Sequence, residues 1–190
     1  MNNKLQNLKD ELAKKKAESP GTETTVALLL RSRPIENFSE DEVKKMLQEK
    51  GFFDSGWNDK GKGLQNQYEE IEQNGEKLVL DHTTGLTWQK SGSQGKITFK
   101  RVHAHIQKLN NEKYANYGDW RLPTLEEAMS LMEPEQKIGD LYIEPIFDKT
   151  QQWIWTSDKK SASFAWVVYF SYGACNDAPV FNRAYVRAVR

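Results

Sequence analysis

The stretch WIWTSDKKSASFAWVVYFSYGACNDAPVFNRAYVRAVR, Trp153–Arg190, reads as strands broken by short turns. Aromatic and β-branched residues gather in QWIWTS, FAWVVYF and RAYVRAVR. Within this stretch the chemical vocabulary changes. Up to Trp166 the chain is full of Lys, Glu and Gln; from Val167 to Arg190 there is no Lys, Glu, Gln, Met or Trp. Tyr, Ser, Asn, Asp, Ala, Gly, Pro and Phe stand in their place. Trp166, Val168 and Phe170 alternate, which turns one strand face inward. The opposite face carries Val167, Tyr169 and Ser171 and leads into Tyr172. It reads as a half-exposed strand ending in an aromatic, hydroxyl-bearing surface, the best candidate site in the chain.

Upstream, helices and strands are mixed. In FSEDEVKKMLQEKGFF, Ser39 and Glu42 fit a capping box, Phe38 and Val43 a hydrophobic staple, and Gly51 a C-terminal stop. EKLVLD and GLTWQK read as strands paired across the HTTG turn. A second helix is expected over roughly 98–110, with Phe99, Val102, Ile106 and Leu109 on one side. A third starts at Thr124, where Thr124 and Glu127 repeat the capping-box pattern. SGWNDKGKGLQNQ is expected to be a loop. Helices flanked by strands early and late indicate an α+β chain with a mostly antiparallel sheet.

At 190 residues the chain suits one domain with extensions. Residues 3–17 favour helix, with Leu5, Leu8 and Leu12 as a thin apolar stripe, and ESPGTETT breaks it. The expected division is a helical N-terminal extension at 1–20 and a single domain at 21–190. Formal net charge is zero, so nothing predicts nucleic acid, heparin or anionic membrane as a partner. One cysteine, Cys175, excludes an internal disulfide and CxxC metal sites. The opening MNNKLQNLKDELAKKK lacks the apolar core of a signal peptide, and VALLL is too short to span a bilayer. A cytoplasmic protein without membrane insertion is expected.

Familiar catalytic and metal patterns fare poorly. His103 and His105, two apart on a helix, cannot share a metal face. Asp81 and His82 could join Ser157 or Cys175 only if the fold brought them together; a turn at Asp81 is the simpler reading. NDKGKG lacks the spaced carboxylates and closing Glu of a calcium loop. Cys175 is expected in an accessible loop, as a bystander thiol. Trp88, Trp120, Trp153, Trp155 and Trp166 could form a sugar-stacking platform, but read first as core. No cofactor or metal is called for.

The order DHTTGLTWQK, YGDWRLPTLEEAMSLM, WIWTSD, AWVVYF and YVRAVR resembles the Lcl C-terminal domain family, from about Phe52 to Arg190. That resemblance implies a C-type-lectin-like fold of the formylglycine-generating-enzyme subtype, with helices supporting small antiparallel sheets. It implies structural tryptophans, and binding by the strands and loops near the C-terminus. Folds of this kind include the variable proteins of diversity-generating retroelements, whose C-terminal segment is rewritten chiefly at AAY codons. The resulting NNY codons cannot encode Lys, Glu, Gln, Met or Trp, the five residues missing after Trp166. On this resemblance the ligand-binding positions are Tyr169, Ser171, Tyr172, Ala174, Asn176, Asp177, Ala178, Val180, Asn182 and Ala184. Phe170, Gly173, Arg183, Tyr185, Val186 and Arg187 would hold the frame.

The physics suits a binding surface. Tyrosine gives large contact area at low entropy cost, and Ser and Asn give adaptable hydrogen bonds. The leading expectation is a non-enzymatic module that binds a macromolecular ligand, above all a protein. One alternative is a carbohydrate such as a sulfated glycan. Another is an enzyme like the formylglycine-generating relatives, which rely on a cysteine pair where this chain has one cysteine.

Overall fold

A computed structural model of the chain describes residues 27–190. The expected helix at 3–17, the break after it and the whole of the 1–20 extension lie outside the described residues. The remainder is α+β, with three small sheets, three α-helices and one 3-10 turn among the described residues.

Helix α1 spans Glu40–Lys50, and both halves of the Ser39–Glu42 capping box are present. Gly51 closes it at φ 67°, in the left-handed region that glycine enters without a Cβ penalty. The first sheet contains β1 (Tyr68–Gln73), β2 (Glu76–Asp81) and β3 (Thr87–Gln89), all antiparallel. The β2–β3 hairpin is the expected one. Strand β1 was not legible: YEEIEQ has almost no apolar alternation, and it is paired to β2 by a tight turn at Asn74–Gly75, both at positive φ.

Strand β4 (Ile97–Thr98) leads directly into α2 (Phe99–Asn111), and the 3-10 turn Tyr114–Asn116 follows. Helix α3 is only Leu125–Met129, every residue of it buried, and it begins with the Thr124–Glu127 capping box. Glu127 is also held by Arg121 through two contacts of 2.6 and 2.7 Å.

The third sheet decides where a site can be. Strands β5 (Trp153–Ser161), β6 (Phe164–Tyr169) and β7 (Ala174–Pro179) are antiparallel, with β6 central. Ile154, Trp166, Val168, Phe170 and Cys175 join the largest core cluster. Trp155, Ala165, Val167 and Ala178 join a second cluster with Val102 of α2, Ala184 and Val186. Val167 is therefore fully buried, not half-exposed as its alternation suggested. A strand sandwiched on both faces reads AWVV, an unbroken apolar run.

RAYVRAVR was expected to be one strand. Only Arg183–Ala184, β8, forms a regular one, paired with β4. Beyond it the backbone changes partner every residue or two: Tyr185 bonds β5 at Trp153 and Trp155, Ala188 bonds Gln89, Val189 bonds Arg121, and Arg190 bonds Thr87. This C-terminal run therefore ties all three sheets together. Arg187 lies wholly inside it, its guanidinium 4.8 Å from the centre of the Phe147 ring. Burial pushes its pKa down to about 9, opposed by nearby Asp148 and Tyr68.

Asp158 on β5 is fully buried and accepts four hydrogen bonds. Arg31 Nη1 and Nη2 donate at 2.9 and 2.7 Å, Ile35 N at 2.6 Å, and Leu125 N at 2.7 Å. One carboxylate thus joins the 31–35 segment, the start of α3 and the central sheet. We expect Asp158→Ala to cost roughly 3–5 kcal/mol in urea unfolding, because Arg31 and two inward N–H groups lose their acceptor. Glu36→Ala, which removes an exposed ion pair with Lys159, should cost less than about 1 kcal/mol in the same assay.

Candidate functional site

The covering over the second face of the β5–β6–β7 sheet runs out at its end. Pairing places Trp153 opposite Tyr169, and Tyr169 opposite Ala174. Strand periodicity puts Asn176 on this same face. Beyond the buried Trp155–Val167 pair these residues border a cleft of about 650 Å³. Its lining comprises Lys96, Gln152, Trp153, Tyr169, Ser171, Tyr172, Ala174, Cys175, Asn176 and Asn182.

The aromatic floor is ordered by stacking. Trp153 and Tyr169 lie 5.0 Å apart at 25°, and Tyr172 tilts against Tyr169 at 5.8 Å. Tyr172 is 70% exposed although its backbone is held firmly. Its N–H donates to Tyr169 O at 3.2 Å, and its carbonyl accepts from Ser55 Oγ at 2.9 Å. Gly173, at φ 64°, closes the β6–β7 turn; a Cβ there would sit 3.0 Å from both Phe53 and Tyr142. Ser55 N donates to the Gly173 carbonyl, and Tyr142 N to that of Phe170. An exposed ring on a clamped turn is a preorganised contact.

Burial first, then Tyr172 and Asp177, pushes the Tyr169 phenol up, so it stays a neutral O–H donor near neutral pH. The Asp177 carboxylate is engaged: Lys160 donates to it at 2.9 Å and also pairs with Glu40. Those two carboxylates push the Lys160 pKa up.

The ten residues expected to contact ligand divide into two groups. Tyr169, Ser171, Tyr172, Ala174, Asn176 and Asn182 come together around the cleft. The other four do not line it. Ala178 and Ala184 are buried in the second core cluster, because α2 and β8 cover the sheet there. Val180 packs against that same cluster. Asp177 alternates away from Asn176 and bonds Lys160. Of the expected frame residues, Phe170, Val186 and Arg187 are fully buried, whereas Arg183 is exposed.

Sequence reasoning missed Lys96 and Gln152 and placed Trp153 in the core. Trp88, Trp120, Trp155 and Trp166 are indeed core, but Trp153 is only partly buried and faces the cleft. The signal that could have found it is register: once Trp153 pairs with Tyr169, both rings share a face.

Cys175 is not in an accessible loop. It lies inside β7, 4% exposed, with its N–H donating to Asp54 Oδ2 at 2.8 Å. Asp54, itself buried, also accepts from Gly56 N and Trp57 N, so it fastens the 54–57 turn to β7. Asp81 closes its own turn through Thr83 and Thr84, and His82 pairs with Glu69, leaving no link to Ser157 or Cys175. Asn58 serves the expected turn, donating to the Leu47 and Phe52 carbonyls.

The family model described as the Lcl C-terminal domain matches residues 77–190. The chain belongs to the Lcl C-terminal domain family. The match begins at Lys77, later than the Phe52 suggested by motif order, and it contains every residue lining the cleft. No curated protein matches the chain. In this Lcl C-terminal domain the brace at Phe53–Ser55 comes from outside the matched span, yet it holds the turn that carries Tyr172. No helix among the described residues is long and apolar enough to cross a membrane.

Burial first, then Asp54, pushes the Cys175 thiol well up, so little thiolate forms. Iodoacetamide at mildly alkaline pH should therefore label Cys175 only after denaturation. Rapid labelling of the folded protein, followed by mass spectrometry, would contradict the buried placement. Gly173→Ala should cost about 1–2 kcal/mol in thermal unfolding, because alanine pays for the left-handed backbone even before the close contacts.

Proposed function

We propose that this Lcl C-terminal domain is a non-enzymatic binding module that presents its cleft to a macromolecular ligand, above all a protein. The proposed fold subtype is C-type-lectin-like, of the formylglycine-generating-enzyme kind. The observation that carries the reading is convergence. Seven residues from the segment without Lys, Glu, Gln, Met or Trp, six of them expected ligand contacts, line one cleft with a stacked aromatic floor. Aromatic groups held at low entropy cost, rimmed by Asn and Ser, suit contact with varied surfaces.

The vocabulary of the tail supports a further element of the proposal: the segment is diversified by a retroelement. Buried positions Ala178 and Ala184 would then be restricted by packing, while Tyr172 and Asn176 would be free to vary. A near-copy of the 3′ end of the gene, differing only at adenines and lying beside a reverse transcriptase gene, is the expected genomic finding.

The competing readings gain less support. A sulfated glycan calls for several cations, and Lys96 is the single one lining the cleft among the described residues. Thiol chemistry calls for a reactive cysteine, and Cys175 is buried with a raised pKa.

The test is selection of a displayed protein-fragment library on the folded chain. Tyr172→Ala should weaken the selected binders at least about thirtyfold, the scale of a central aromatic contact of about 2 kcal/mol. Its melting temperature should stay nearly unchanged, since the ring is exposed. Binders indifferent to Tyr172→Ala, yet weakened by a substitution elsewhere such as Glu72→Ala, would move the site off the cleft.

A further inference from the structure

Three of the residues lining the cleft, Lys96, Gln152 and Trp153, come from outside the tail, and they give it a definite charge character. The segment before β4 is fixed to the C-terminal run. Ser93 N donates to Val186 O at 2.7 Å, Val186 N to Ser93 Oγ at 3.0 Å, and Gln151 Nε2 to Ser93 O at 2.9 Å. Trp155 Nε1 donates to Ile97 O at 2.9 Å. These bonds bring Lys96 to the cleft. Its ammonium lies 5.0 Å from the Trp153 ring centre and 5.5 Å from that of Tyr185.

Lys96 forms no salt bridge among the described residues. Among the described residues no carboxylate lines the cleft, and nearby Asp177 is already engaged by Lys160. The two rings favour the cation but offer no acceptor for its three N–H groups. A partner that covers this corner with apolar surface alone would strand a desolvated charge, which is costly. A partner bringing one carboxylate would form a charge-assisted hydrogen bond on the edge of the aromatic floor.

Building on the proposed binding role, we infer that the cleft selects protein partners carrying an acidic side chain beside an apolar one. The carboxylate meets Lys96, and its apolar neighbour packs on Trp153, Tyr169 and Tyr172. Amide groups of Gln152, Asn176 and Asn182 stand at the rim, where they can meet the partner's backbone. A single cation matches a single carboxylate better than a multiply charged sulfated sugar. Because Lys96 and Trp153 precede the tail, this acidic requirement stays constant while tail residues change.

The experiment selects a random peptide library on the folded full-length chain, on Lys96→Glu and on Tyr172→Ala. Wild-type binders should share an Asp or Glu next to an aromatic or aliphatic residue. Lys96→Gln should weaken them about tenfold, one charged hydrogen bond, without altering the melting temperature. Lys96→Glu should instead enrich Lys or Arg at the same position. Binders lost with Tyr172→Ala but lacking an acidic residue, or indifferent to Lys96→Gln, would overturn the acidic requirement and leave the cleft reading standing. Enrichment that never depends on Tyr172 would overturn both. A heparin-derived oligosaccharide whose binding is lost with Lys96→Gln, where no peptide binds, would assign the lysine to a sulfated sugar and overturn the protein partner.

Discussion

The whole arrangement depends on covering β6 from both sides. Trp166 and Val168 face the larger core, while Ala165 and Val167 face a second cluster built from Trp155, α2 and β8. A central strand sandwiched in this way leaves no surface along its middle. Only its two ends escape, exposed Phe164 and half-buried Tyr169, the latter because the second cover ends at Trp155. The cleft is the place where a two-sided core becomes one-sided.

Buried carboxylates fix the elements around that sheet. Asp158 gathers Arg31, Ile35 N and the first N–H of α3; Asp54 gathers its own turn and β7. Each satisfies backbone donors that a hydrophobic core could not, which makes their geometry specific as well as stabilising. The Asp54 turn also places Ser55 against the Tyr172 carbonyl, linking interior order to an exposed ring. In the proposed role, rigidity under Tyr172 limits the entropy lost when a partner docks.

The cleft has two sources. One is the β6–β7 turn and its neighbours, whose residues come from the tail. The other is Lys96, Gln152 and Trp153, which are held in place by the stitched C-terminal run and the segment before β4. Under the proposed diversification, such a division would let the tail residues vary while Lys96, Gln152 and Trp153 keep a fixed aromatic and positive character. The same stitching binds the three sheets to one another, so the C-terminal residues hold together the frame on which the cleft is built.

Local chemistry made much of this legible. Both capping boxes, the Gly51 stop, the β2–β3 hairpin and the inward face of Trp166, Val168 and Phe170 follow from short-range hydrogen bonding and period-2 alternation. The family followed from motif order, and the tail's altered vocabulary pointed to six residues that do line the cleft. Alternation could not say that Val167, Ala178 and Ala184 would also be covered, because a helix distant in sequence supplies the second cover. Nor could it draw Lys96 to Trp153, or bury Cys175 beneath Asp54. The sequence by itself determined which residues turn inward on each element and where the helices begin. Only the tertiary structure decided which opposite faces are also buried and which side chains meet at the opening, since those outcomes rest on packing between segments far apart in the chain.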